Sequence, residues 1–205
     1  DLRRTELELA RVGSQQHVLA TPADLSVARD IRRVVRDTFN RFGQINILVT
    51  HMGYGPRGRP SEFNDETIMT ALEENFLSSV RFAKEVIPYM KQQRWGRIVH
   101  LLPSLGRRSA NGTVLTATSQ LALVGYSKML ANELAPFNIT VNNLVSGPVE
   151  TNFLTSSVES EAQESGKSFD DLMRDTITGI PMGRLGKPEE VGDLVAFLAS
   201  DRASF

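Results

Sequence analysis

A strand, a helix and a second strand can be read in the stretch that begins Gly96-Arg97-Ile98-Val99-His100-Leu101-Leu102-Pro103. The apolar run predicts a strand over Arg97–Leu102, the residues that follow predict a helix over Thr116–Leu134, and Ile139–Val145 predicts another strand. Pro136 separates that helix from the last strand. Two strands joined by a crossover helix are typical of a parallel sheet with helices packed on it.

The same alternation continues on both sides of this stretch. Ahead of it, the patterns predict a strand over His17–Ala23, a helix over Val27–Phe42, a strand over Ile45–Thr50 and a long helix from about Asp65 to Met90. Behind it, Pro188 begins a helix that continues to Ala199. The nearly continuous apolar run Ile45–Thr50 is expected when both faces of a strand are covered. We therefore predict a single α/β domain over residues 1–205, with a doubly wound parallel sheet and helices on both faces.

Composition excludes several classes of protein. The 205 residues are 40% apolar, carry a net charge of −1 and contain no cysteine. These values leave no basic surplus for nucleic acid and exclude disulfides and cysteine metal sites. No apolar run approaches the ~20 residues of a membrane helix, and His17, His51 and His100 lack the spacing of a metal site. We expect a cytoplasmic protein without nucleic-acid, membrane or metal partners.

The stretch from Gly96 to Thr151 resembles the active-site half of the short-chain dehydrogenase/reductase family. The resemblance is strongest to the branch of 3-ketoacyl-carrier-protein reductases. It also rests on a second, highly specific segment, Ile180-Pro181-Met182-Gly183-Arg184-Leu185-Gly186-Lys187-Pro188-Glu189-Glu190. It implies a Rossmann-like fold and hydride transfer between the nicotinamide of NAD or NADP and a small carbonyl or alcohol substrate, 3-ketoacyl compounds included.

The catalytic side chains of the family are replaced. The resemblance places Pro103, Thr116 and Gln120 where the family has serine, tyrosine and lysine. Thr116 is a far weaker acid than a phenol, and Gln120 has no charge with which to lower a neighbour's pKa. Ser104, one residue from the serine position, and Asn75, which matches a mid-helix asparagine of the proton relay, are further candidates. Two hypotheses follow: an oxidoreductase with an atypical active site, or a catalytically degenerate member that binds a ligand or partner.

The resemblance also assigns cofactor positions. Thr50-His51-Met52-Gly53 lies where the family has Asn-Asn-Ala-Gly, and only the glycine is retained. Asp24 and Leu25 match an adenine contact, although Asp24 is equally well explained as a helix N-cap or a turn carboxylate. The loop that holds the nicotinamide amide and a phosphate corresponds to Gly147, Pro148, Val149 and Thr151. The choice between NAD and NADP stays open.

A second glycine-rich motif is better interpreted as a loop. Gly53-Tyr54-Gly55-Pro56-Arg57-Gly58 satisfies the dinucleotide spacing G-x-G-x-x-G and follows a strand. That fingerprint must lead directly into a helix, whereas Arg59-Pro60-Ser61 intervenes here. Pro56 also lacks the backbone N–H that a phosphate cradle would use. The variable stretch Ser156–Lys167 resembles the substrate-covering insertion of the family.

Both ends of the chain differ from the family pattern. The family begins with a strand, a glycine-rich turn and a helix, and it ends with a further strand; neither is present, so the ends are expected to be either disordered or truncated. The glycine-rich turn holds the pyrophosphate, and we therefore expect no dinucleotide bound to the chain as given. Asp1-Leu2-Arg3-Arg4 does not begin a signal peptide. The helices Asp65–Met90 and Thr116–Leu134 resemble those that pair across a two-fold axis in the family, which predicts a homodimer or homotetramer.

Overall fold

The fold centres on a three-stranded parallel sheet. A computed structural model of the 205-residue chain describes residues 2–13, 15–51, 53–103 and 113–205. The strands are β1 (Ile47–His51), β2 (Gly96–Pro103) and β3 (Ile139–Ser146), in the order β1-β2-β3. Ile47 is in register with Arg97, and Gly96 with Ile139. The predicted parallel pairing is confirmed.

Eight α-helices occur in the described part of the chain. They are α1 (Leu2–Val12), α2 (Ala28–Phe42), α3 (Asp65–Leu72), α4 (Ser78–Gln93), α5 (Val114–Leu134), α6 (Asn152–Ser165), α7 (Phe169–Thr178) and α8 (Pro188–Leu198). The predicted helices agree with α2, α5 and α8 to within two residues. Local chemistry sets several boundaries. Gly43, with φ of 74°, ends α2 in the left-handed conformation, and the Asn64 side chain accepts the Thr67 N–H at 2.9 Å to begin α3.

The predicted long helix from Asp65 to Met90 is interrupted. A single π-helical turn, Glu73–Leu77, joins α3 to α4. Asn75 lies inside this turn, where its side-chain amide donates to the Ala71 carbonyl at 3.0 Å. A side chain that bonds the backbone in this way competes with the regular helical ladder, and π turns are frequent at functional sites.

The main core lies between the sheet and helices α2, α4 and α5. Its buried members are Val35, Ile45, Ala83, Val86, Met90, Ile98, Leu130, Leu134 and Ile139. Alternate residues of a strand point to opposite faces of the sheet. Ile98 accordingly packs against this core, whereas the neighbouring Arg97 contacts the chain after α8. Helices therefore cover both faces at β2, as predicted.

The predicted strand over His17–Ala23 is wrong. Gln15–His17 form a short 3-10 turn, and residues 18–24 have no regular structure. A strand needs a hydrogen-bonding neighbour, and no strand of the described sheet pairs with this segment.

The expectation that β1 is covered on both faces is also wrong. Ile47 and Val49 are 46% and 44% exposed, while Leu48, on the opposite face, packs against the main core. In the described structure β1 pairs only with β2. It is therefore an edge strand that is buried on one face.

Candidate active site

The candidate site lies at the edge of the sheet where the strands end. Because the strands are parallel, the segments after β1, β2 and β3 leave from the same edge. The rule for open α/β sheets places ligands in this position. The segments that meet here are residues 53–58, Pro103 and residues 147–151.

The loop after β1 is held against two of the predicted catalytic positions. A Cβ atom on Gly53 would lie 3.4 Å from Asn75 Oδ1. The Gly55 N–H donates to Thr116 Oγ1 at 3.0 Å, and a Cβ on Gly55 would lie 3.3 Å from Leu115 Cβ. Both glycines thus allow the backbone to approach α3 and α5 closely, so that Asn75 and Thr116 are brought to the same loop.

The side chains at the catalytic positions are closed off from solvent. Asn75, Thr116 and Pro103 are buried, and Gln120 is only 5% exposed. The Thr116 hydroxyl already accepts a hydrogen bond from Gly55. Gln120 Oε1 differs, because it has no hydrogen-bond partner among the described residues. Ser104, the remaining catalytic candidate, lies outside the described residues.

Thr50, a predicted cofactor residue, is engaged inside the fold. Its Oγ1 lies 2.7 Å from His100 Nδ1 and accepts from the Ser79 hydroxyl at 3.3 Å. Burial lowers the pKa of His100 from 6.5 to about 4. The sequence reasoning missed this buried histidine; its signal was a polar residue inside the apolar run of β2. His51 is exposed, and Met52 lies outside the described residues.

Asp24 is a turn carboxylate. It accepts hydrogen bonds from the Ser26 N–H at 2.9 Å and the Ser26 hydroxyl at 2.6 Å, and these bonds hold its pKa below the usual value. The N-cap of α2 is Val27, so Asp24 is not a helix cap. Arg81 of α4 donates to the Ser26 carbonyl at 2.8 Å and fixes the turn. Leu25, which is predicted to contact adenine, is exposed at the tip of this turn.

The loop after β3 is accessible and is anchored from behind. Gly186 donates its N–H to the Pro148 carbonyl at 3.0 Å and accepts from the Glu150 N–H at 2.8 Å. A Cβ on Gly147 would meet no atom within 4 Å. Thr151 Oγ1 accepts from the Leu154 N–H at 3.2 Å and caps α6. The four predicted nicotinamide-side residues therefore form one loop, which is exposed at Gly147 and Thr151 and half-buried at Pro148 and Val149.

An ion pair fixes the segment that anchors this loop. Arg184 contacts the Glu190 carboxylate at 2.6 Å, and the Lys187 N–H donates to the same carboxylate at 2.7 Å. The Arg184 hydrogen bond, aided by that N–H, lowers the pKa of Glu190 to about 2. Gly186 thus lies between Arg184 and Lys187, which are both hydrogen-bonded to Glu190.

The comparisons with known proteins identify the family. A sequence model described as Enoyl-(Acyl carrier protein) reductase matches residues 2–205. The chain is also 31% identical over 175 residues to the 3-oxoacyl-[acyl-carrier-protein] reductase of Thermotoga maritima, a match that covers 85% of the chain and 67% of that relative. The chain belongs to the short-chain dehydrogenase/reductase family. The predicted resemblance is confirmed, including its branch of 3-ketoacyl-carrier-protein reductases.

Further relatives and solved structures agree with this membership. The D-beta-hydroxybutyrate dehydrogenase of Cupriavidus necator is 28% identical over 204 residues, which cover 99% of the chain and 79% of that relative. The structure of NAD+-bound xylitol dehydrogenase matches with a TM-score of 0.87 and 25% identity, over 100% of the chain and 80% of its own. YwfH, an NADPH-dependent reductase involved in bacilysin biosynthesis, matches in fold with a TM-score of 0.90 and 24% identity, covering 99% of the chain and 78% of its own.

The described residues contain neither a membrane-spanning helix nor a cluster of metal ligands. No helix among them is long and apolar enough to cross a bilayer. No group of three or more acidic, histidine or cysteine side chains is placed to hold a metal ion in the described ranges.

Proposed function

We propose that the protein transfers a hydride between a nicotinamide dinucleotide, NAD or NADP, and a ketone or alcohol, with 3-oxoacyl compounds as the first class to test. The relatives include a 3-oxoacyl reductase and a hydroxybutyrate dehydrogenase, and both names place the reacting oxygen on carbon 3 of an acyl chain. One solved relative carries NAD+ and another is described as NADPH-dependent. The family therefore supports the reaction class, and either cofactor is compatible with it.

The observation that carries the proposal is the unpartnered amide oxygen of Gln120. A buried acceptor without a partner costs on the order of 1–3 kcal/mol. Because the Gln120 side chain is only 5% exposed, a ligand hydroxyl such as that of a ribose would satisfy this oxygen once the residues that cover it shift. The exposed loop around Gly147 offers open space for the nicotinamide end at the same edge of the sheet. The residues present thus fit this half of a dinucleotide.

The residues at the catalytic positions are poorly suited to proton transfer, the second step of the reaction. A bound nicotinamide supplies or accepts the hydride, and an alkoxide formed from a ketone then needs a proton. The Thr116 hydroxyl is buried and accepts from Gly55, and no charged side chain stands at Gln120 to assist it. We therefore expect slow turnover from an atypical active site, because a positioned acid is worth ~10²–10⁴ in rate.

One observation favours a second candidate function. Asn75, Thr116 and Pro103 are all buried, and the first two hold hydrogen bonds within the chain. Side chains used for packing in this way suit a degenerate family member that binds a ligand or partner without turnover. In this alternative the cofactor loop still binds a ligand, but the protein does not catalyse hydride transfer.

Assembly as a homodimer or homotetramer belongs to the same proposal. Helix α5 exposes large apolar side chains at Leu121, Val124 and Met129. Exposed apolar groups on one helix are typical of an interface between copies. Burial of these side chains against a second copy would account for them.

Two measurements test the proposal. Calorimetric titration with NADH and with NADPH measures cofactor binding, and the loss of nicotinamide absorbance in the presence of ketone substrates measures turnover. Gly147→Val should weaken binding at least tenfold, since the added methyl groups enter space that is open only while no ligand occupies it. Gly192→Val is the matched control, because Gly192 in α8 also has no atom within 4 Å of a new Cβ. The titration uses a protein that also carries the glycine-rich turn; if neither dinucleotide binds to it at about 1 mM, the proposed function fails. Binding without turnover would select the degenerate alternative.

A further inference from the structure

Two exposed aromatic rings stand together at the entrance to the candidate site. Tyr54 and Phe153 stack with their ring centroids 5.4 Å apart and their planes 12° from parallel. The two residues are nonetheless 49% and 60% exposed. Aromatic side chains that pair without being buried leave apolar area in water, which is typical of a surface that a ligand covers.

The position of Tyr54 is set by its neighbours on both sides. Gly53 lies against Asn75 Oδ1, and the Gly55 N–H is bonded to Thr116. The backbone of Tyr54 therefore lies between Gly53, which is close to Asn75, and Gly55, which is bonded to Thr116. Phe153 lies two residues beyond Thr151, the cap of α6 and the end of the cofactor loop.

A second contact joins the same loop to α6. The Arg57 guanidinium lies 3.4 Å from Glu161 Oε2 and 3.4 Å from Ser157 Oγ. Phe153, Ser157 and Glu161 are four residues apart, which places them along one face of α6. The loop after β1 thus runs along this face, with the rings at the end near the cofactor loop and the ion pair at the far end.

We propose that Tyr54 and Phe153 determine substrate specificity by accepting an apolar chain against their exposed faces. The Arg57 charge is met by Glu161, so this entrance presents ring surface and a paired charge. An acyl chain gains by covering rings, whereas a polyol would lose water without gaining partners. This inference rests on the proposed function for the identity of the reacting group, and it separates this chain from polyol-acting relatives such as xylitol dehydrogenase.

The test measures binding by calorimetry and needs no turnover. The probes are N-acetylcysteamine thioesters of 3-oxobutanoic, 3-oxohexanoic and 3-oxooctanoic acids, with xylitol as the polar comparison. Affinity should rise about fourfold for each methylene that lies against the rings. Tyr54→Ala and Phe153→Ala should each flatten this dependence and lose about tenfold in affinity for the longest probe. Tyr54→Phe keeps the ring and should bind like the wild type.

Phe205→Ala is the matched control, because it removes an exposed aromatic ring that does not belong to the Tyr54–Phe153 pair. Thermal unfolding of each variant checks that the fold is kept. Equal affinity for all chain lengths, xylitol binding as tightly as the longest thioester, or a Tyr54→Ala variant that retains full chain-length dependence would each overturn the inference. Failure of dinucleotide binding alone would defeat the proposed function and leave this result standing.

Discussion

The two halves of the candidate site differ in how open they are. Beyond β3, the loop from Gly147 to Thr151 is accessible, and its glycine faces empty space. Beside β1, Thr116 and Asn75 are buried and hydrogen-bonded within the chain. A binding surface must stay accessible to work, whereas a position that no longer does chemistry can be recruited into packing. Under the proposed function, this contrast predicts that cofactor binding is retained more completely than proton transfer.

Restoring the family's chemistry should produce the largest effect. In a protein that also carries the glycine-rich turn, Pro103→Ser, Thr116→Tyr and Gln120→Lys together should raise ketone reduction by ~10²–10⁴, provided that substrate and cofactor bind. Thr116→Tyr alone should do much less, because without a nearby ammonium the phenol keeps its high pKa. Steady-state rates with 3-oxoacyl and small ketone substrates measure the difference.

A folding check accompanies this experiment, since a larger side chain in a packed position typically costs 1–3 kcal/mol. If the triple variant is folded and binds cofactor but is no faster, the catalytic positions have been assigned wrongly. If the wild type is already fast and Thr116→Ala keeps that rate, another residue carries the proton. Asn75 and Ser104 would be the next to change.

The buried histidine beneath the closed half predicts an acid-sensitive fold. Because the pKa of His100 is about 4 in the folded chain and 6.5 when unfolded, the unfolded chain binds the extra proton between these values. Stability should therefore fall as pH drops from about 6.5 to about 4, by up to roughly 3 kcal/mol at 1.4 kcal/mol per unit. Urea unfolding at several pH values measures it.

His100→Asn should remove most of this pH dependence, whereas His17→Asn, at an exposed position, should leave it in place. A wild type whose stability is level over that interval would show that His100 is protonated in the fold. The closed half would then be more hydrated than the structure indicates.

The smallest expected effect concerns the open half. Thr151→Ala removes the cap of α6 and should cost about 1 kcal/mol of stability. Ser168→Ala removes the equivalent cap of α7, where Ser168 Oγ accepts the Asp171 N–H at 3.1 Å, and should cost the same. Only Thr151→Ala should also weaken dinucleotide binding in calorimetry. Equal losses of affinity in the two variants would mean that the loss of a helix cap, and not of a contact from Thr151, weakens binding.

Much of the fold could be predicted because periodicity and parallel topology are local properties. The apolar runs of β2 and β3, the helix α5 and the cap chemistry of α8 all follow from residues close in sequence. The strand expected over His17–Ala23 did not form, since its existence depends on a neighbour that a local pattern cannot supply. Helices α1 and α7 were not predicted, although the apolar residues Phe169, Leu172, Met173 and Ile177 of α7 recur at helical spacing.

The candidate site was less predictable. Resemblance indicated which positions matter, but not that Thr116 is buried against Gly55 or that Gln120 lacks a partner. The stacking of Tyr54 on Phe153 joins residues almost a hundred positions apart. Contacts of this kind depend on how the loops leave the sheet, which no spacing rule encodes. The assignments of Gly147, Val149 and the other cofactor positions remain predictions.

The buried arginine at the start of β2 has a consequence for how the chain reaches its native state. Arg97 donates to the carbonyls of Asn138, 3.1 Å away and 41 residues downstream, and Ser200, 3.3 Å away and 103 residues downstream. Its guanidinium also lies 4.4 Å from the centre of the Trp95 ring. During synthesis this charge cannot reach its last acceptor until residue 200 has left the ribosome, several seconds after β2 at about 5–20 residues per second. Such long-range closure makes folding slow, and the sheet is sealed only after residue 200 has been synthesised.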